Sequence, residues 1–329
     1  MRQIQYRTFG GYDELQLVEA PVPSPAAGEA LVRVRLASVS PLDNTARAGR
    51  MPAAAIKPFP VVPGVTAVGE VVEPGASGLA AGAPVIVTGP GLGTRRDGTW
   101  REYLAVEPAA LVPIPPGVSL ESAAALSTGA GYLTAYMALT KLTSFAPGQA
   151  VLAPGIGGAV GQGSMEVARV LGAAVAISTA STTAKAEQGR AAGFEVIDLS
   201  VETLRDGVAR RTGGRGVHAV LDGVAGPLTG EALATLAPGG ALVSIGYAGG
   251  TRTTIDVTDL IWRTARVFGF MFSMFAPADV LAANLKLLEL LAADQLHPTV
   301  ARTFALDEAA AAQRYLIEDR PYGRVLLHV

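Results

Sequence analysis

Gly155, Gly158 and Gly161 stand three residues apart in VLAPGIGGAVGQ (151–162), between a short apolar run and a stretch with helical character. A turn of this kind serves chemistry without a reactive side chain. The first glycine permits a tight turn with positive φ, and the middle one lets the backbone approach a phosphate. The last lets a helix pack closely on its strand with its N-terminus toward the anion. The spacing fails as G-x-G-x-x-G, because position 160 is Val160, and succeeds as G-x-x-G-x-x-G. By itself the triplet, with Ala159 and Val160 inside it, reads either as a phosphate-binding turn or as a turn of purely structural use.

The end of the next apolar segment narrows the ligand. A site for NAD places Asp or Glu about 20 residues on, to accept hydrogen bonds from the ribose 2′-hydroxyl. Here the stretch is AISTASTTAKAE (176–187), with no acid where the strand should end. Ser178, Thr179, Ser181 and Thr182 offer hydroxyls and Lys185 a positive charge, a donor set that suits the 2′-phosphate of NADPH. The same residues could instead cap the following helix and leave Lys185 as a surface lysine.

The rest of the inventory is exclusive. The chain has no cysteine, so thiolate catalysis, disulfides and cysteine-ligated zinc are ruled out. Its three histidines, His218, His297 and His328, lack metal-ligand spacing. With 26 basic and 28 acidic residues the net charge is −2, which gives no field for nucleic acid or an anionic membrane. No apolar run reaches the ~18 residues of a membrane span, and MRQIQYRTFGG lacks a signal-peptide core. A cytoplasmic protein is expected.

These residues need elements to position them. At 329 residues, half of them hydrophobic and only 16% charged, the chain has material for two domains with sheet buried on both faces. Up to about residue 120, EALVRVRLASV alternates like a half-buried strand, and VVPGVTAVGEVVEPG and GAPVIVTGPG add short β-branched segments. SLESAAALSTGAGYLTAYMALTKL reads as one helix capped by Ser119. From 150 strands and helices alternate, which predicts a parallel, doubly wound sheet of five strands. After about 266 come FGFMFSMF, readable as core or pocket, an amphipathic helix, and a strand–helix–strand ending whose last strand is expected back on the first sheet.

Across essentially its whole length the chain resembles the zinc-independent, quinone oxidoreductase-like branch of the medium-chain dehydrogenase/reductase superfamily. The likeness is carried by GGYDELQLVEAPVPSPAAGEALVRVRLASVSPLD, GVTAVGEVVEPG, GTWREYLAVEPAALVPIPPGVSLESAAAL, YLTAYMAL, GGAVGQ, VLDGVAGPLTGEALATLAPGGALVSIG and LDEAAAAQRYLIEDRPYGRVLLHV. It implies an α/β chain: a GroES-like, β-rich catalytic domain (1–122 and 267–329) and a Rossmann domain with a doubly wound parallel sheet (123–266). It also implies nicotinamide held between the domains, and a homodimer paired through the Rossmann sheet edge.

The activity implied is hydride transfer from NADPH to a hydrophobic quinone or α,β-unsaturated carbonyl. An enoyl-thioester reductase and a non-catalytic NADPH-binding protein are the alternatives. Ser40, Asp43, Thr45 and Tyr132 are the candidates for holding the substrate oxygen, although Asp43 and Arg47 could form a structural ion pair and Tyr132 could simply pack. Thr134, Gly246, Tyr247, Phe270 and Met271 are expected beside the cofactor, with Trp100 and Trp262 as further pocket candidates. The pattern departs from its relatives at Ser40 (often Asn), Thr45 (often Tyr), Thr66 (usually Asp) and Leu199 (often Tyr).

Overall fold

The computed structural model describes residues 1–329, apart from the side chain of Ala130. The chain divides into two compact units, residues 1–129 with 284–329, and residues 130–283.

The first unit opens with strands β1 (Arg2–Gln5), β2 (Gln16–Glu19) and β3 (Ala30–Val39), then helix α1 (Pro41–Arg47). Strands β4 (Thr66–Glu73), β5 (Pro84–Thr88), β6 (Tyr103–Val106) and β7 (Leu111–Pro113) precede helix α2 (Leu120–Ser127). Ser119 caps α2 as expected, its side chain accepting the Ser122 N–H. The single long helix expected here does not form: Gly129 takes φ 61°, a left-handed conformation that breaks an α-helix. The helix that follows belongs to the second unit.

That unit holds α3 (Gly131–Met137), β8 (Ala150–Ala153), α4 (Ala159–Val170), β9 (Val175–Ala180), α5 (Thr183–Ala191), β10 (Glu195–Asp198) and α6 (Leu204–Thr212). It continues with β11 (Val217–Asp222), α7 (Pro227–Leu233), β12 (Leu236–Ser244), α8 (Val257–Arg263) and β13 (Arg266–Gly269). The strands form a wholly parallel sheet in the order β10-β9-β8-β11-β12-β13. Helices cover both faces of such a sheet, and all four residues of β8 are buried. The sheet has six strands rather than five. Residues 266–269 complete it beside β12, so the segment after 266 stays with this unit until helix α9 (Pro277–Ala292), within which the chain returns to the first unit.

Strand β14 (Val300–Ala305), helix α10 (Ala309–Arg314) and strand β15 (Arg324–His328) complete the chain. As expected, β15 rejoins the first sheet, antiparallel to β3, in the order β14-β15-β3-β4-β5-β7, with β6 also paired to β3. The core beneath it gathers Ile4, Tyr6, Val32, Val34, Trp100, Val325 and Leu327. No helix of the described residues is long and apolar enough to cross a membrane.

Candidate functional site

Each unit carries its own group of candidate residues. In the second, strand β8 ends at Ala153 and the chain turns through Gly155 with φ +85° before α4 begins. Gly158 is the N-cap and brings no side chain to take up the first-turn N–H groups, which a helix leaves without intrahelical partners. A Cβ on Gly161 would stand 2.0 Å from the Gly155 carbonyl oxygen, so the turn closes only with glycine there. A second close approach backs it: a Cβ on Gly131 of α3 would lie 2.2 Å from the carbonyl oxygen of Ala159. The result is a tight backbone cradle at a helix N-terminus, beside Val160, which fits a pyrophosphate.

The residues at the end of β9 separate into two sets. Ser178 is fully buried and its hydroxyl donates to the Ala153 carbonyl at 2.6 Å. Thr179 is buried too, its Oγ1 accepting the Gly155 N–H at 3.1 Å while its carbonyl takes the Ile156 N–H at 2.9 Å. The strand is covered on both faces, so neither hydroxyl is offered to a ligand; both pin the glycine turn to the sheet. Ser181 is exposed and Lys185 half-buried, so both remain candidates to meet a 2′-phosphate. Thr182 takes the alternative role and caps α5, accepting the Lys185 N–H.

Across the sheet's crossover point lies Asp222, at the end of β11 beside β8, a residue that no motif of the sequence singled out. Its carboxylate accepts the Val224 and Ala225 N–H groups and the Thr229 hydroxyl. An Asp followed by G-V-A-G-P is the pattern of a side chain folding back on its own turn, and that signal could have revealed it.

Tyr132 is fully buried, its hydroxyl donating to Glu166 of α4 at 3.0 Å, and Thr134 is buried on the same helix. Gly246 lies against Gly223, where a Cβ would meet the Gly223 carbonyl oxygen at 2.6 Å. Tyr247 is 55% and Met271 67% exposed. FGFMFSMF is therefore not core: Phe270 stacks edge-on with Phe272 at 5.0 Å and tilts onto Phe275 at 5.5 Å, with the methionines outside. Trp262 is 81% exposed on α8.

In the first unit the site centres on Asp43. Its Oδ2 accepts both the backbone N–H and the hydroxyl of Ser40, at 2.8 and 2.7 Å, and its Oδ1 accepts the Gly64 N–H at 2.9 Å. The carboxyl is buried, and burial pushes its pKa up to about 6 against hydrogen bonds that pull it down. Nearby Tyr6 is pushed up to about 12, first by burial and then by the Asp43 charge. The alternative Asp43–Arg47 ion pair does not form. Arg47 donates instead to Gln313 at 2.6 Å, to Asn44 at 2.6 Å and to the Gly10 carbonyl, and stacks over Tyr12.

Thr45 turns its hydroxyl back to the Pro41 carbonyl at 2.9 Å. Thr66 joins a buried chain of hydroxyls: Ser38 lies 2.7 Å from its Oγ1, and Thr99 donates to its carbonyl at 3.0 Å. Trp100 is wholly buried, its Nε1 donating to the Ser38 carbonyl at 2.8 Å, so it is a core residue rather than a pocket wall.

A metal centre does not fit the donor set. The chain lacks cysteine, and no three His, Asp or Glu side chains gather into a ligand group among the described residues.

Residues 26–116 match the alcohol dehydrogenase GroES-like domain model and residues 192–327 the zinc-binding dehydrogenase model. The chain is 30% identical to a 2-haloacrylate reductase of a Burkholderia species, over 97% of this chain and 96% of that protein. Among solved structures it superposes on an NAD-dependent alcohol dehydrogenase with a TM-score of 0.90 at 28% identity, covering 100% of both chains. It also superposes on the Escherichia coli quinone oxidoreductase in complex with NADPH, with a TM-score of 0.88 at 25% identity and 100% of both chains covered.

Proposed function

Because the chain belongs to the medium-chain dehydrogenase/reductase superfamily of oxidoreductases, we propose that it is an NADPH-dependent, zinc-free reductase of quinones or α,β-unsaturated carbonyls. One observation carries the reading: a glycine cradle closes at the N-terminus of α4, and the neighbouring β9–α5 turn carries exposed Ser181 and no carboxylate, with Lys185 in the first turn of α5. Gly155 to Gly161 would hold the pyrophosphate, and Ser181 with Lys185 the 2′-phosphate. When bound, the reduced nicotinamide supplies a hydride for the electron-poor carbon of a conjugated carbonyl.

The protein's own task is then to orient the substrate and stabilise the charge that develops on its oxygen. Half-buried Thr45 is the hydroxyl proposed for that oxygen, which it would reach by leaving the Pro41 carbonyl, while Ser40, buried with its hydroxyl donated to Asp43, is proposed to hold that carboxyl in place. Asp43, tied to Ser40 and with a pKa near 6, holds a proton at a pH where most carboxyls have lost theirs. A quinone and enone panel followed by NADPH absorbance tests the reading. Oxidation of NADPH with at least one such acceptor is expected; tight NADPH binding with no turnover across the panel overturns it.

A second copy of the chain is the proposed partner. Strand β13 is the outer strand of its sheet and leaves backbone groups unpaired on one side. Val267 on it, and Val257, Ile261 and Trp262 on α8, are 50%, 63%, 63% and 81% exposed. A dimer mass by light scattering is expected, and a monomer in the Val267→Lys variant.

A further inference from the structure

We infer that Asp222 is a positioning residue for the cofactor cradle, acting through the loop it ties down at the end of β11. The inference rests on the reading that the Gly155–Gly161 turn holds the cofactor. Asp222 is fully buried and the cradle contains none of its atoms. Its Oδ1 accepts the Val224 and Ala225 N–H groups at 3.0 and 2.8 Å, and its Oδ2 accepts the Thr229 hydroxyl at 2.6 Å. Its carbonyl accepts the N–H groups of Ile245 and Gly246, at 2.8 and 3.2 Å, so the end of β12 is joined to the same point.

The loop held in this way is strained. Ala225 has φ +60° and Gly226 φ +68°, two consecutive left-handed residues, the first with a side chain that disfavours the conformation. A buried carboxylate accepting three hydrogen bonds is what offsets that strain. In return the loop closes in on the cradle at two places, leaving no room there for a side chain on either glycine. Val224 Cγ2 lies 3.0 Å from the position a Cβ would take on Gly155, and a Cβ on Gly223 would stand 2.9 Å from Val160 Cβ. The carbonyl of Val224 accepts the Gly249 N–H at 2.6 Å, which fixes the loop from its far side. β8 and β11 are the strands between which the sheet's winding reverses, where ligands of such sheets bind at the carboxyl ends. Asp222 thus sets the height of the wall against which the phosphate turn rests.

The test is a double-mutant cycle read as the NADPH dissociation constant by fluorescence titration. Asp222→Asn keeps the shape but replaces the acceptor facing Thr229 with an NH₂ group; Val224→Ala takes away the side chain that lies over Gly155 and leaves the carboxylate network alone. Each is expected to weaken NADPH binding about fivefold, and the double variant by clearly less than the product of the two. At saturating NADPH, kcat should change by less than about twofold, so the effect stays in binding. Thr229→Val should weaken binding, whereas Thr229→Ser, which keeps the hydroxyl, should restore it. Effects of Asp222→Asn and Val224→Ala that multiply fully, or a wild-type dissociation constant in both, overturn the inference while the proposed function stands. Wild-type protein that binds neither NADPH nor NADH overturns both. Should Asp222→Asn fail to fold, Val224→Ala and the Thr229 pair decide the matter.

Discussion

The carbonyl oxygen of Gly155 and the α-carbon of Gly161 lie so close that a methyl group on the second would stand 2.0 Å from the first. Real Cβ atoms do not approach a carbonyl oxygen to that distance, so Gly161→Ala must push the helix off its turn. Overpacking of this kind costs about 1–3 kcal/mol. NADPH affinity should fall by roughly tenfold or more, since the N–H groups of the cradle lose their common focus. Isothermal titration of the variant checks this; unchanged affinity would place the phosphates elsewhere.

Lys185→Ala separates the two nicotinamide cofactors. The lysine is half-buried in the first turn of α5, and only NADPH has a 2′-phosphate for it to meet. Without the ammonium, a charge-assisted hydrogen bond to that phosphate cannot form. The NADPH dissociation constant should rise roughly 5–10-fold while that of NADH stays within about twofold. Equal effects on both would count against the assignment.

Asp43 makes a prediction about pH. Its ordinary value is 3.8 and burial raises it to about 6, so between those limits the folded protein holds a proton that the unfolded chain releases. Stability from this group is complete below pH 3.8 and is lost as pH rises through about 6, an effect on the order of 3 kcal/mol. Relative to Asp43→Asn, wild-type protein should therefore lose about that much stability in urea unfolding between roughly pH 4 and 7. A flat difference would mean that Asp43 ionises like an exposed carboxyl.

For Tyr132 the structure favours packing over a part in the reaction. Its hydroxyl is spent on Glu166 in a fully buried position, and a hydrogen bond of this kind contributes about 1 kcal/mol net. Tyr132→Phe should lower the thermal midpoint and leave kcat within about twofold. Loss of turnover at unchanged stability would return this tyrosine to the catalytic group.

By itself the sequence determined what local patterns can carry. Three glycines three apart define the register of the turn, the strand–helix alternation after residue 150 defines a parallel sheet, and the lack of cysteine removes cysteine-ligated zinc. Each follows from residue type and short spacing, where backbone sterics and burial act directly. The tertiary structure decided which polar groups remain available. Ser178 and Ser181 are three residues apart with the same side chain, yet one is sealed under a covered strand and the other exposed. Asp43 meets Gly64 across 21 residues, Trp100 meets Ser38 across 62, and Arg47 meets Gln313 across 266. A periodic pattern shows which face of an element is buried but not which partner awaits it there, because distant partners are selected by packing of the whole sheet.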